Sequence, residues 1–146
     1  MAARRKVEAR RWFQQARHDL NAVKWNIEGS FCDTACFLAQ QAGEKALKSL
    51  LYYLGARRAA LLTHSLLEMV QEARQKEKQF ESLMENAREL DLHYIPSRYP
   101  NGLPSGYPHQ FYSKEVAGKA LRAAEAILNS VEAYFRRVGE DEIVSE

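Results

Sequence analysis

The four prolines of the chain all lie in one short segment, at positions 96, 100, 104 and 108. Proline disrupts a helix interior, because its ring clashes with the preceding turn and it lacks a backbone N–H. Together with Gly102 and Gly106, these prolines exclude a continuous helix from residues 95–112. The sequence on both sides contains no proline, so long helices are possible only there.

Outside the proline segment, apolar residues recur at helical spacing and no strand-like alternation is present. Gly29 and Gly55 are expected to end the first two helices, while Ser30 caps the second and Thr63 caps the third. The pattern predicts an all-α, up-and-down bundle of about five helices with a long Pro/Tyr-rich loop before the last one. The predicted helices cover about 4–28, 31–54, about ten residues after Thr63, 80–94 and 113–138.

The length of 146 residues suits a single domain that buries its own core. Apolar residues make up 46% and charged residues 27%, as in ordinary globular proteins. We expect one domain over 1–146, with its core at about 8–138 and a frayed acidic tail at 139–146. The sequence contains two cysteines, no secretory signal and no apolar run of membrane-span length. We therefore expect a cytoplasmic protein with no membrane partner.

Composition and motifs limit the kinds of ligand, metal site and reaction that this sequence supports. The net charge of +2 does not by itself indicate a nucleic-acid binder, and no DNA partner is expected. The histidines form no metal-binding pair, and Cys32 and Cys36 lack a second pair of ligands. Because no Gly-rich phosphate loop or nucleophile elbow occurs, no cofactor, metal or catalytic residue is assigned.

Two polar groups are candidates for an anion site. In the second helix, Gln41, Lys45 and Lys48 share one side of the helix with Tyr52. This stripe is either a solvated face, with Glu44 paired to Lys48, or a phosphate site in which the lysines act as point charges.

The second candidate is the loop itself, which at 95–112 exceeds the usual ~2–8 residues of a bundle connection. Its Arg98 can grip a phosphate and its Tyr99 can stack on a base. The alternative is that Arg98 pairs with a carboxylate and the tyrosines close the end of the bundle. We expect Arg98 to point back towards the second-helix lysines, with Tyr99 and His64 at the rim of the pocket. For His64 the alternative is a helix-start histidine bonded to local backbone.

At these residues the chain resembles the HEPN family of small helical-bundle proteins. The resemblance spans about residues 8–138. It rests most on the run Phe37-Leu-Ala-Gln-Gln-Ala-Gly-Glu-Lys-Ala-Leu-Lys48, with support from Trp12, Ala16-x-x-Asp19-Leu20, Thr63-His64-Ser65-Leu66 and Ser97-Arg98-Tyr99-Pro100.

The resemblance implies a homodimer, a site for nucleotide or RNA phosphates, and a separate minimal nucleotidyltransferase as partner. The residues assigned to that site are Gln41, Lys45, Lys48, His64, Arg98 and Tyr99. The dimer is also expected because Ala123, Ile127, Tyr134 and Phe135 of the last helix exceed one apolar stripe, which predicts a second apolar face.

Some HEPN proteins are metal-independent ribonuclease toxins of toxin–antitoxin pairs, with an Arg-x4-6-His signature late in the bundle. Here His109 lies eleven positions after Arg98, which is a longer spacing than this signature allows. Arg58 and His64 have the spacing but precede the third helix. We therefore favour a binding protein over an enzyme. The alternatives are a ribonuclease that uses His64, His93 or His109 with Arg58 or Arg98, and a purely structural dimer.

Overall fold

The computed structural model describes residues 2–146, which form eight α-helices and no strand. The helices are α1 Ala2–Glu28, α2 Cys32–Leu54, α3 Arg58–Leu62, α4 Leu66–Lys76, α5 Met84–Asp91, α6 Pro108–Phe111, α7 Lys114–Arg137 and α8 Asp141–Val144. Two 3₁₀ turns, Lys78–Leu83 and Pro100–Gly102, complete the elements. Five of the helices have eight residues or more, which confirms the predicted all-α bundle. Within residues 2–146, no helix combines the length and the apolar character needed to cross a membrane.

Helix α2 is the centre of the bundle and packs against α1, α4, α5 and α7. The side of α2 that faces these helices is rich in small residues, so neighbouring helices approach its backbone closely. Gly43 marks the tightest place, since a Cβ there would lie 2.8 Å from side-chain atoms of both Leu66 and Leu90. The fully buried side chains of α2 include Ala35, Ala39, Ala42, Ala46, Leu47, Leu50 and Leu51.

The turn between α1 and α2 differs from the prediction. Ser30 does not cap α2: its φ of 65° places it in the left-handed region, and Phe31 precedes the first residue of α2. The N–H of Phe31 donates to the carbonyl of Asn26 at 2.8 Å, and that of Ser30 to Ile27 at 3.0 Å. Ser30 therefore completes the C-terminal turn of α1, where glycine is the usual residue. Gly55 ends α2 with a φ of 68°, as predicted.

The start of α4 also differs. Thr63 is not its cap. Helix α4 begins at Leu66, and Ser65 Oγ accepts the backbone N–H of Glu68. The carboxylate of Asp91 adds a second cap, accepting the backbone N–H of Leu66 at 2.8 Å. The predicted helix over 80–94 begins as a 3₁₀ turn and ends at Asp91. The short helix α3 was not predicted at all.

The C-terminal residues were expected to fray, and that prediction is wrong. Ile143 and Val144 of α8 are each only 1% exposed. The side chains of Arg10, Gln14 and Arg17 on α1 donate hydrogen bonds to backbone carbonyls in residues 142–145. Apolar burial and these bonds together order the tail against α1.

The last helix also lacks the predicted second apolar face. Ala123, Ile127, Tyr134 and Phe135 are all buried within the chain. Tyr134 and Phe135 make edge-to-face contacts with Tyr53. These residues therefore belong to the core of one chain and give no reason to expect a dimer.

The packing of α2 predicts opposite effects for the same substitution at two helical glycines. Gly43→Ala should destabilise the fold by about 1–3 kcal/mol, because its methyl group would force Leu66 and Leu90 to move. Gly118→Ala on α7 is the matched control, since its methyl group would meet only the end of Arg122, at 3.5 Å. It should stabilise the fold by about 0.5–1 kcal/mol through helix propensity. Urea unfolding measures both, and equal effects would contradict this account of α2.

Candidate functional site

Two of the predicted site residues, His64 and Arg98, contact one aromatic ring, that of Tyr94, and a third, Tyr99, contacts Arg98. The imidazole of His64 stacks on Tyr94, with ring centroids 5.2 Å apart and planes 18° apart. The guanidinium carbon of Arg98 lies 4.8 Å from the Tyr94 centroid, 4.4 Å from that of Phe37 and 4.9 Å from that of Tyr99. We call these five residues the Tyr94 cluster.

Arg98 is held by contacts that leave its charge intact. Its Nε donates to the backbone carbonyl of Tyr94 at 2.9 Å, while its two terminal nitrogens find no acceptor within residues 2–146. Pro96 and Pro100 stiffen the backbone on either side of it. Arg98 was predicted to point back towards the lysines of α2; it does reach α2, but it contacts Phe37 and no lysine. A guanidinium held this way can still bind a phosphate through both terminal nitrogens.

His64 is positioned by a buried carboxylate. Its Nδ1 lies 3.3 Å from both oxygens of Glu44, which is only 4% exposed. The imidazole itself is 56% exposed. When Nδ1 carries the proton it donates to Glu44, and Nε2 is then an acceptor that faces solvent. In this geometry Glu44 holds Nδ1 of His64, and Nε2 is available to contact a ligand.

Glu44 is itself surrounded by partners from its own helix. Lys48 Nζ lies 3.1 Å from one of its oxygens and Gln40 Nε2 3.3 Å from the other. Gln41 donates to the Oε1 of Gln40 at 2.7 Å. The Lys48 ammonium also lies 5.2 Å from the Trp12 ring centroid and is buried. Gln41 and Lys48 thus support the carboxylate behind His64.

Lys45 lies apart from the Tyr94 cluster. Its Nζ is 2.5 Å from Asp19 of α1, and its side chain lines a cleft between α1 and α2. The eight-residue separation of Phe37 and Lys45 corresponds to ~12 Å along α2. The predicted residues therefore divide between two places: His64, Arg98 and Tyr99 lie in the Tyr94 cluster, whereas Lys45 faces α1. Lys48 lies between them, in contact with both Glu44 and Trp12.

Two other histidines that the enzyme alternative considered lie outside the cluster. His93 is buried, and burial lowers its pKa, although Glu89 at 3.3 Å opposes that shift. Its backbone carbonyl accepts a hydrogen bond from Ser97, so it anchors the start of the loop. His109 lies 3.1 Å from Asp33 at the start of α2. The His93 ring packs edge-on against Tyr112, so neither imidazole belongs to the Tyr94 cluster.

The sequence alone did not single out Phe37 or Tyr94 as site residues. Phe37 lies two turns before Glu44 on the same side of α2, and this seven-residue spacing was the available signal. Tyr94 has no such signal, because its role depends on where the loop folds. Within residues 2–146, no three His, Cys, Asp or Glu side chains converge as metal ligands would.

The family is established by comparison with known proteins. The family model described as "HEPN domain" matches residues 9–134, so the chain belongs to the HEPN family. No curated protein matches the chain.

Three solved structures are similar to this chain along most of its length. TT1696 from Thermus thermophilus is 37% identical with a TM-score of 0.80, covering 86% of this chain and 97% of that one. ST0689, an archaeal HEPN homologue, is 31% identical with a TM-score of 0.73, covering 87% and 97%. An HEPN domain protein from Thermotoga maritima, TM0613, is 31% identical with a TM-score of 0.69, covering 87% and 98%.

The Glu44–Lys48 pair predicts an unequal response to single and paired substitution. Glu44→Ala should cost about 3–5 kcal/mol, because it leaves the buried ammonium of Lys48 without its partner. The double variant Glu44→Leu/Lys48→Met should recover most of that loss, since a buried pair is replaced by apolar groups of similar size. Urea unfolding of the three proteins measures this, and equal losses in the two variants would contradict it.

Proposed function

We propose that the protein is a cytoplasmic homodimer that binds the phosphate groups of a nucleotide or of RNA at the Tyr94 cluster. The observation that carries the proposal is the Arg98 guanidinium, which is fixed by three rings and one carbonyl while its terminal nitrogens stay unpaired within residues 2–146. The planar fork of a guanidinium matches the oxygens of a phosphate and can bind two of them at once.

The surroundings of Arg98 support a nucleotide rather than phosphate alone. Tyr99 is 49% exposed and offers a ring on which a base can stack. His64 stacks on Tyr94, the ring that Arg98 also contacts, and adds a further nitrogen donor or acceptor. Glu44 is the nearby carboxylate, and Lys48 balances its charge. An anion at the cluster therefore meets little net repulsion.

The homodimer and the partner belong to the same proposal. The homodimer is proposed because the family resemblance implies one, and the chain exposes aromatic side chains that a dimer surface could use. They include Trp25, Phe31, Tyr107 and Phe111. A minimal nucleotidyltransferase is proposed as partner because the family resemblance implies one.

Arg98 provides the test of phosphate binding. Arg98→Ala should weaken binding of ATP or GTP at least tenfold in calorimetric titration, and Arg98→Lys should also weaken it because an ammonium lacks the planar fork. Binding should strengthen at low salt.

Arg122→Ala is the matched control for this binding test, as this exposed arginine of α7 has no ion pair within residues 2–146.

Sedimentation of the same samples tests the homodimer and should give the mass of two chains. Because Arg98 stacks on three rings, its removal should also lower the melting temperature, so affinities are compared well below the transition. Unchanged affinity in Arg98→Ala would make the arginine a structural tether and overturn the proposal.

A second candidate function is a metal-independent HEPN ribonuclease toxin, and the buried Glu44 behind His64 favours it. An imidazole fixed at Nδ1 can accept the ribose 2′-OH proton at Nε2 while Arg98 neutralises the phosphate.

Incubation with total RNA in the presence of a metal chelator tests this activity. Cleavage should fall at least a hundredfold in His64→Ala and remain in His109→Ala, which alters a histidine outside the cluster. Absence of cleavage at high protein concentration would remove this candidate and leave the binding function.

A further inference from the structure

A second concave surface lies between α1 and α2, on the face of α2 next to the Tyr94 cluster. It encloses about 580 Å³ and is lined by Glu8, Arg11, Trp12, Gln15, Lys45 and Tyr52. A smaller cleft of about 300 Å³ shares Glu8 and Tyr52 with it and adds Arg4 and Arg5. Because the two adjoin at these shared residues, we call them together the α1–α2 cleft.

Two aromatic rings form the middle of the α1–α2 cleft. The Trp12 and Tyr52 centroids are 5.9 Å apart and their planes differ by 23°. Both side chains are half-buried, so each still presents part of its ring to solvent. The buried ammonium of Lys48 lies over Trp12, which fixes the ring. Partly exposed, fixed rings of this kind are stacking platforms for bases.

Cations stand on both sides of the rings. Arg4 and Arg5 lie at one end and have no carboxylate partner within residues 2–146, and Arg11 and Lys45 lie at the other. Glu8 pairs with Arg11 at 2.9 Å, so the cations outnumber the carboxylates. Arg4 and Arg11 are two turns apart on one face of α1, which is ~10 Å along the helix axis.

We propose that the α1–α2 cleft binds a segment of single-stranded nucleic acid, with bases on Trp12 and Tyr52 and phosphates at Arg4 and Arg11. Cations at both ends of the ring pair suit a strand with several phosphates, whereas one mononucleotide would engage only one end. The proposal does not rest on the proposed function, because the cleft shares no lining residue with the Tyr94 cluster.

Trp12 itself provides the signal for the test. The chain has two tryptophans, so Trp25→Phe, at a side chain that is 75% exposed, leaves Trp12 as the only one. A single-stranded oligoadenylate RNA of about twelve nucleotides, within the usual site sizes, should quench its fluorescence on binding. In the same background Arg4→Gln/Arg11→Gln should weaken binding at least tenfold. It should also reduce the slope of log affinity against log salt by about 1.4, for two phosphate contacts.

The controls separate this cleft from general charge effects and from the Tyr94 cluster. Lys114→Gln/Arg122→Gln removes two exposed cations from α7 and should leave binding within twofold. Tyr52→Leu should weaken binding with no change of charge, and thermal melts confirm that each variant is folded.

The outcomes are distinct. Absence of quenching, or an equal loss in the α7 control, would overturn the proposal. Loss of quenching in Arg98→Ala would place the strand at the Tyr94 cluster and would also overturn it. Quenching that survives Arg98→Ala while ATP and GTP fail to bind the unaltered protein would support the cleft and count against the proposed function.

Discussion

The close approach of four helices to α2 governs the structure. That approach depends on small side chains, because a Cβ at Gly43 would lie 2.8 Å from atoms of Leu66 and Leu90. Where α2 is lined with alanine and glycine, its neighbours close over the backbone and exclude water. The longer polar side chains of the helix are consequently displaced to the edges of this packed face. Those edges are where Glu44 and Lys48 meet α1 and the segment before α4.

Burying a carboxylate and an ammonium on one helix costs desolvation energy that apolar residues would avoid. Hydrogen bonds offset part of this desolvation energy, because within residues 2–146 no buried side-chain nitrogen or oxygen lacks a hydrogen-bond partner. The pair also connects two surfaces. Glu44 fixes the exposed imidazole of His64, and Lys48 fixes the ring of Trp12. The same buried interaction therefore orients one side chain of the Tyr94 cluster and one of the α1–α2 cleft.

Local patterns predicted the fold well, because helices follow from apolar periodicity and from the confinement of proline to residues 95–112. They failed where two residues compete for one position: Ser30 takes the left-handed turn beside Gly29, and Ser65 caps α4 where Thr63 was predicted. The site was less predictable. Helical spacing places Lys45 and Lys48 on one side of α2, but only the packing of α1 brings Asp19 to Lys45. The contact of Arg98 with Phe37 joins segments far apart in sequence and leaves no trace in local spacing.

The two surfaces hold their cations in physically different ways, and this determines how each can attract an anion. Arg98 is held by aromatic rings and a neutral carbonyl, so its full charge is available and a phosphate displaces no carboxylate. In the α1–α2 cleft, Lys45 and Arg11 already face Asp19 and Glu8. A phosphate at Arg11 must compete with Glu8, so a strand there depends more on the unpaired Arg4 and on stacking. Under the two proposals, one phosphate is therefore enough for binding at the Tyr94 cluster, whereas binding in the cleft requires several contacts acting together.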